Sequence, residues 1–244
     1  MPLSRPVRTR HDPPERPVIG THDGLAYAFF EPEGDPVGGV VICHGAGSAK
    51  ESHFDFARGA RAYGLATLAF DARGHGRSEG RMGAGALDDV RAMCDLLRDR
   101  VPRVALRGSS MGGFYAISAA ARDSEIASVV AICPAPEDYL LRALRSGREL
   151  EYEADREGLE EWLGSASLAD DVAALSPRTA LLLLHAEGDE QIPHTITREL
   201  YEAAGDPKRL LVVPGGHHRS IQHDGELQAA SIKFILDSLA RPSA

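Results

Sequence analysis

Two serines of this chain stand in the pattern Gly-x-Ser-x-Gly, in which a serine hydroxyl can act as a nucleophile. They are Ser110, within 108–112, and Ser78, within 76–80. A nucleophilic serine of this kind lies in a strained turn that joins a strand directly to a helix. The apolar run RVALRGS leads straight into Ser110, and MGGFYAISAAA follows it with helical character. Around Ser78 the preceding apolar run has already ended and no helical pattern follows. We therefore predict that Ser110 is the nucleophile.

Attack on a carbonyl carbon also requires donors that stabilise the oxyanion. A helix that begins after Ser110 directs its free N–H groups and the positive end of its dipole towards the serine, so the N–H of Met111 is the first candidate donor. A second donor is expected in the loop after an earlier strand. The HGAG turn at 44–47 offers the N–H of Ala46 there, and a glycine turn that only closes the strand is the alternative. His44 itself is expected to form hydrogen bonds within its loop.

The base and the acid that orients it are expected late in the chain. The segment RLLVVPGGHHRS contains two adjacent histidines, His217 and His218, and the residues alone do not separate them. LLLLHAEGDEQIP, after the preceding apolar run, contains Glu187, Asp189 and Glu190, and a surface turn is the alternative for each. The histidine would accept the serine proton and then protonate the leaving group, while the carboxylate fixes the imidazole tautomer.

The elements that must position these residues alternate along the chain. Six apolar runs rich in Val, Leu and Ile predict strands covered on both faces, at 37–45, 65–71, 103–109, 127–133, 179–185 and 209–215. Helical patterns lie at about 52–63, 85–100, 111–122, 194–204 and 225–240, and two short strands flank the turn at 23–24. Such alternation predicts a mostly parallel sheet with right-handed crossovers. Ligands of such sheets bind beyond the carboxyl ends of the strands.

Length and composition fit one folded domain. The chain has 244 residues, of which 43% are hydrophobic and 26% charged, so we expect a single α/β domain over 17–244. Residues 1–16 are rich in Arg and Pro and lack the apolar core of a secretory signal, so we expect a flexible arm. Residues 137–178 are expected to form a small cap of one or two amphipathic helices. An ordinary long crossover is the alternative.

Charge and cysteine content narrow the possible partners. A formal net charge of −9 disfavours nucleic acid and anionic membranes as partners, and no apolar run reaches transmembrane length. We therefore expect a cytoplasmic protein. Cys43, Cys94 and Cys133 are odd in number and lie in apolar runs, which predicts buried thiols rather than a disulfide. The ten histidines show no metal-ligand spacing, so we expect neither a metal nor a cofactor. Monomer and homodimer both remain open.

Five segments resemble, in order, motifs of the α/β-hydrolase superfamily: HGAGS (44–48), DARGHGRSEG (71–80), GSSMGG (108–113), HAEGDEQIP (185–193) and PGGHH (214–218). The resemblance covers about residues 18 to 240. It implies the α/β-hydrolase fold, with a mostly parallel central sheet of about eight strands, helices on both faces and a small helical cap insertion. It also implies that 71–80 is a structural loop, that Asp189 is the acid, and that the G-x-x-H spacing from Gly215 selects His218.

The opening HGAGS and the short cap resemble compact carboxylesterases, including cinnamoyl esterase-like ones, and monoacylglycerol lipase-like proteins. The resemblance implies a serine hydrolase that cleaves small-molecule carboxylic esters with small to medium acyl groups through an acyl-enzyme. Cleavage of peptides, amides or thioesters by the same residues is an alternative, because the serine aminopeptidase branch is also similar. A non-catalytic ligand-binding protein is the alternative from another class. Phe54, Phe114, Tyr139 and Trp162 are candidate pocket walls, with core packing as the alternative for each.

Overall fold

The computed structural model describes residues 16–147 and 149–241, and within them eight strands form one sheet. The strands are Val18–His22 (β1), Leu25–Phe30 (β2), Gly38–Cys43 (β3), Leu65–Phe70 (β4), Val104–Ser109 (β5), Ile126–Ile132 (β6), Ala180–Ala186 (β7) and Lys208–Val213 (β8). Their spatial order is β1-β2-β4-β3-β5-β6-β7-β8. Strands β3 to β8 are parallel, whereas β2 pairs antiparallel with both β1 and β4.

Helices alternate with these strands along the chain. They are Phe54–Arg61 (α1), Ala86–Arg98 (α2), Met111–Ala121 (α3), Glu137–Arg145 (α4), Arg156–Ser165 (α5), Leu168–Ala174 (α6), His194–Ala203 (α7) and Gly225–Leu239 (α8). Every strand and helix that the sequence predicts is present, with its ends shifted by a few residues at most. The architecture is the one that the family resemblance implies.

The core lies on both faces of the sheet because parallel strands are covered on both sides. One buried cluster joins α1 and α8 to the sheet, through residues such as Phe56 and Ile235. The other joins α2 and α3 to the opposite face, through residues such as Met93 and Phe114. Cys43, Cys94 and Cys133 are free and buried, as the sequence predicts.

Two expectations need correction. The run at 209–215 forms β8 at the edge of the sheet, where its residues are mostly half-buried rather than covered on both faces. The cap segment contains three helices, α4, α5 and α6, instead of one or two. The last of these packs against α3, where Ser118 Oγ donates to Asp171 Oδ2 at 2.6 Å, so α6 belongs structurally to the domain body.

The arm predicted for residues 1–16 lies, apart from its last residue, outside the described residues. Among the helices that are described, none has the length and apolar character required to cross a membrane.

Candidate active site

The turn between β5 and α3 holds Ser110 in a strained conformation. Ser110 has φ 54° and ψ −120°, a left-handed backbone conformation that residues with a side chain rarely adopt. Its N–H donates to the carbonyl of Ile132 at 2.8 Å, which ties the turn to the end of the neighbouring strand β6. The serine thus lies at the carboxyl edge of the sheet, between a strand that ends and a helix that begins.

The two glycines of this turn are required by space. A Cβ atom at Gly108 would lie 2.0 Å from the carbonyl oxygen of Gly112, and one at Gly112 would lie 2.2 Å from that of Cys43. Both obstacles are backbone atoms that cannot rotate away. The G-x-S-x-G pattern at Ser110 therefore reflects close packing of α3 against the sheet, as the interpretation of a nucleophile turn requires.

Ser78, the serine of the other G-x-S-x-G match, forms hydrogen bonds that stabilise its own loop. Its Oγ donates to the carbonyl of Asp71 and accepts the N–H of Ala26 at 2.9 Å. Asp71 in turn binds Lys50, with Oδ2 and Nζ 2.6 Å apart, and both side chains are buried. Segment 71–80 is accordingly a hydrogen-bonded loop.

His218 and Asp189 are brought together from the loops after β8 and β7. His218 Nδ1 lies 2.7 Å from Asp189 Oδ2, the Asp189 side chain is fully buried, and His218 is largely buried. His217 is exposed instead, and its N–H donates to Ser220 Oγ at 2.9 Å. The geometry therefore separates the two histidines that the residues alone leave equivalent.

Further donors hold the Asp189 carboxylate in place. Its Oδ1 accepts the N–H groups of Gln191 and Ile192, both at 2.9 Å. His185 Nε2 lies 3.2 Å from Oδ2. Burial by itself raises the pKa of Asp189, but the hydrogen bonds from His185, from His218 and from these two N–H groups outweigh it and bring the pKa well below its ordinary value. Asp189 is thus an anion with a fixed orientation.

His185 is the site residue that the sequence analysis did not assign. It is completely buried, and its Nδ1 lies 2.6 Å from Thr197 Oγ1. Its spacing from Asp189 in the H-x-x-x-D pattern was the available signal, because a histidine at the end of a buried strand needs a polar partner. Glu187 and Glu190 are not placed as Asp189 is, although Glu190 Oε2 accepts the N–H of His218 at 3.1 Å.

Within the described residues, one group has the composition of a metal site: Cys133, Asp189 and His218, whose ligand atoms lie within 4.8 Å of one another. A metal ion there would have to replace the 2.7 Å contact between Asp189 and His218. It would also have to bind the thiol of Cys133, whose pKa is raised by burial. We therefore interpret the group as a histidine–carboxylate pair beside a neutral thiol.

The HGAG turn lies directly beside Ser110. A Cβ atom at Gly45 would lie 3.4 Å from the Ser110 Cβ. His44 holds the turn through its Nε2, which accepts the N–H of Ala72 at 2.9 Å, and its Nδ1, which lies 2.8 Å from the Gly45 carbonyl. This agrees with the loop-stabilising role expected for His44. In the part of the chain that the structure describes, the N–H groups of Ala46 and Met111 have no acceptor.

The segment between α4 and α5 of the cap is held against the HGAG turn. Tyr152 stacks on His75 with ring centroids 4.3 Å apart, and His75 Nε2 accepts the N–H of Gly47 at 3.2 Å. The N–H of Met82 donates to the carbonyl of Glu153 at 2.9 Å, and the N–H of Glu153 donates to the carbonyl of Gly74 at 3.1 Å, which fastens the same segment to the loop between β4 and α2. The cap is therefore anchored next to the candidate oxyanion donors.

A cavity of about 200 Å³ opens at Ser110. It is lined by Gly45, Ala46, Ser48, Ser52, Ser109, Ser110, Gln191, His218, Arg219, Gln222 and His223. Ser110 and His218 thus face one space, although no hydrogen bond joins their side chains within residues 16–147 and 149–241.

The four aromatic residues considered as pocket walls do not line this cavity. Phe114 is fully buried and meets Trp162 edge-to-face at 5.6 Å, and Phe54 meets Phe30 in the same way at 5.1 Å. Tyr139 lies under the guanidinium of Arg142. Core packing, the alternative to a pocket wall, is confirmed for Phe114, Phe54 and Trp162, which belong to or pack against the buried clusters. Tyr139 is half-buried and lies in neither cluster.

Two comparisons by sequence find proteins that are similar to this chain. The family model described as serine aminopeptidase, S33, matches residues 34–146. This segment includes the HGAG turn, the 71–80 loop and Ser110, and it ends before Asp189 and His218. The chain is also 28% identical over 217 residues to the uncharacterized protein YfhR of Escherichia coli (strain K12), which covers 85% of this chain and 73% of that protein.

Two solved structures extend the likeness to almost the whole chain. Est1E from Butyrivibrio proteoclasticus with ferulic acid bound has a TM-score of 0.74 at 21% identity, covering 92% of this chain and 100% of its own. The monoacylglycerol lipase of Paleococcus ferrophilus has a TM-score of 0.72 at 19% identity, covering 88% of this chain and 99% of its own. At such identities the likeness establishes a shared fold.

Proposed function

We propose that this member of the α/β-hydrolase superfamily is a serine hydrolase that cleaves carboxylic esters with small to medium acyl groups. The observation that carries the proposal is the placement of Ser110. It lies on a strained turn and shares a cavity with His218, whose Nδ1 contacts the buried Asp189 at 2.7 Å. A nucleophile, a base and an orienting carboxylate in this relation are the elements of acyl transfer.

The proposed reaction begins when Ser110 Oγ attacks the ester carbonyl carbon and His218 Nε2 takes the hydroxyl proton. The N–H groups of Ala46 and Met111 stabilise the oxyanion of the tetrahedral intermediate. Collapse of that intermediate breaks the bond to the alcohol oxygen, which receives the proton from His218. Water then attacks the acyl-enzyme with His218 as base. The carboxylic acid is released, and Ser110 Oγ takes back the proton from His218.

Asp189 acts on His218 throughout these steps. Its carboxylate accepts a hydrogen bond from the Nδ1–H group of His218, so Nε2 is the nitrogen left to accept the serine proton. It also stabilises the imidazolium that forms. Because the pKa of Asp189 lies well below its ordinary value, the carboxylate stays ionised across the physiological range. Side chains and backbone N–H groups of the chain, together with water, carry out these steps. We place the activity in the cytoplasm, in a monomer or homodimer.

Ester cleavage is favoured by the neighbouring structures, which are named as Est1E with ferulic acid bound and as a monoacylglycerol lipase. Amide or peptide cleavage is the second candidate, because the matching family model is that of serine aminopeptidases. Both reactions use the same nucleophile and differ only in the leaving group.

A substrate panel tests the proposal. We expect the purified chain to hydrolyse 4-nitrophenyl esters of acetate to octanoate faster than aminoacyl anilides or acyl-CoA thioesters. Ser110→Ala should abolish turnover. Ser78→Ala, the matched control in the other G-x-S-x-G segment, should retain it in protein whose thermal unfolding shows that it is folded. Preference for anilides or thioesters would replace the ester proposal, and failure of every substrate class would refute hydrolysis.

A further inference from the structure

We infer that the cavity at Ser110 selects substrates that carry an anionic group, and that Arg219 is the residue that determines this preference. The inference rests on the proposed function, since it concerns the substrate of the same site. It follows from the composition of the cavity wall, from the state of the charges around it and from the size of the space.

The wall of the cavity is polar. Apart from the serine and histidine of the proposed reaction, its side chains include Ser48, Ser52, Gln191, Gln222 and His223, together with Arg219. No Leu, Ile, Val, Phe or Trp is among its lining residues. An alkyl chain placed here would gain little from contact with such a wall while removing water from groups that form hydrogen bonds. A substrate with its own polar group fits better.

Arg219 is the cation in this wall that has no carboxylate partner. It follows His218 directly, is exposed, and forms neither an ion pair nor a hydrogen bond within the described part of the chain. His223, in contrast, contacts Asp55 Oδ2 at 2.8 Å. A guanidinium presents several N–H donors in a fixed plane, which suits bidentate binding of a carboxylate.

Three acids beside the cavity wall have partners other than Arg219. Asp189 is held by His185 and His218, and Glu190 Oε2 accepts the N–H of His218. Asp55 accepts from Gln228 Nε2 as well as contacting His223. The net charge of the chain is −9, so a preference for anions must arise from a local cation rather than from the overall field.

The size of the cavity limits the substrate. Pockets for drug-sized ligands measure roughly 300–1,000 Å³, whereas this one measures about 200 Å³. An ester whose acyl part or alcohol part is a short chain or one ring ending in a carboxylate therefore matches both the space and the charge. The carboxylate belongs either to the half-ester of a small dicarboxylic acid or to a hydroxy acid whose hydroxyl is acylated.

The test compares charged and neutral esters of similar size. For the acyl part the pair is 4-nitrophenyl hydrogen glutarate and 4-nitrophenyl pentanoate. For the alcohol part the pair is 4-acetoxybenzoate and its methyl ester. Ser110→Ala supplies the background rate for each compound, because a carboxylate near an ester accelerates its spontaneous hydrolysis. KM and kcat are determined separately for the wild type, Arg219→Gln, Arg219→Lys and Arg198→Gln.

We expect the wild type to prefer the anionic member of at least one pair, through a lower KM. Arg219→Gln should remove about tenfold of that preference, as expected for a charge-assisted hydrogen bond, and should lower kcat/KM far more for the anionic ester than for the neutral one. Arg219→Lys should keep part of the preference. Arg198→Gln, which removes the same charge from the surface of α7, should keep all of it. Salt should reduce the preference of the wild type.

Two results would overturn the inference. Equal kcat/KM for anionic and neutral esters in the wild type would show that the cavity does not select for charge. A preference that survives in Arg219→Gln would show that another group provides it. In both cases the neutral esters are still hydrolysed in a Ser110-dependent manner, so the proposed function stands. If the neutral esters are not hydrolysed either, the proposed function fails, and this inference fails with it.

Discussion

Lowering the pH from about 7 to about 4 should destabilise the fold through His44, the buried histidine of the HGAG turn. Its neutral ring is satisfied on both sides, by the Ala72 N–H at Nε2 and by the Gly45 carbonyl at Nδ1. Burial, as the largest effect, lowers the pKa of His44 from 6.5 to about 4. Protonation would place a cation where Nε2 must accept a hydrogen bond.

The direction of the pH dependence follows from how many protons the folded and unfolded chains bind. Between pH 6.5 and 4 the unfolded chain holds a proton on His44 that the folded chain does not. Stability is therefore complete above about 6.5 and is lost as the pH falls towards 4. The two pKa values differ by about 2.5, and each unit corresponds to about 1.4 kcal/mol. The contribution of His44 to the free energy of unfolding should thus fall by ~3 kcal/mol over this interval.

Urea unfolding at a series of pH values measures this contribution. His53 and His75 also have a lowered pKa, so the comparison must be made with His44→Gln, whose amide can accept the Ala72 N–H. The wild type should lose about 3 kcal/mol more than the variant between pH 7 and pH 4. Parallel curves for the two proteins would refute the assignment of a neutral, hydrogen-bonded His44.

Three further outcomes are expected. Asp189→Asn should lower kcat for 4-nitrophenyl acetate by about 10⁴-fold, and a loss of less than tenfold would contradict its role. Gly112→Ala should prevent folding as judged by circular dichroism, because its Cβ would lie 2.2 Å from the carbonyl oxygen that ends β3, whereas Gly225→Ala meets nothing within 4 Å and should fold. Thr67→Val should stabilise the protein by about 1 kcal/mol in urea unfolding, because it removes a buried hydroxyl that has no hydrogen-bond partner among the described residues. Thr179→Val breaks a 2.9 Å hydrogen bond and should destabilise the protein by a similar amount. The opposite order of the two variants would contradict this account.

The strands and helices could be predicted because their signals are local. Continuous apolar runs mark strands such as β5 and β6, which are buried along their whole length. Edge strand β8 has the same apolar character, yet it is only half-buried, since its place at the edge depends on the order of strands in space. A hydrophobic run indicates that a strand has apolar faces, but it does not show which strands or helices pack against them.

The nucleophile turn could be predicted because strand, glycine, serine and helix are adjacent in the sequence. The histidine–acid pair could be predicted only in part. His217 and His218 differ in which one points inwards, and that depends on the positive-φ turn at Gly215 and Gly216. The contact between His185 and Asp189 depends on how the loop after β7 folds back. Tertiary packing decides these orientations and contacts, and they cannot be predicted from local sequence patterns.

The cap and the cavity wall were the least predictable parts. Amphipathic spacing in 137–178 predicted helices, but it could not show that α6 would dock on α3 through Asp171. Residue type favours core packing over a pocket wall for Phe114 and Trp162 but does not decide between them, and their edge-to-face contact does. The polar wall that replaces them is assembled from four separate loops.

Covalent labelling of Ser110 by a fluorophosphonate, located by peptide mapping, tests the central claim most directly. The reagent forms a stable adduct only with a serine that a neighbouring base activates. We expect one adduct, on the peptide that contains Ser110, which is absent from Ser110→Ala and strongly slowed in Asp189→Asn. A folded wild-type protein that takes up no label, or that takes it up on another residue, would contradict the account.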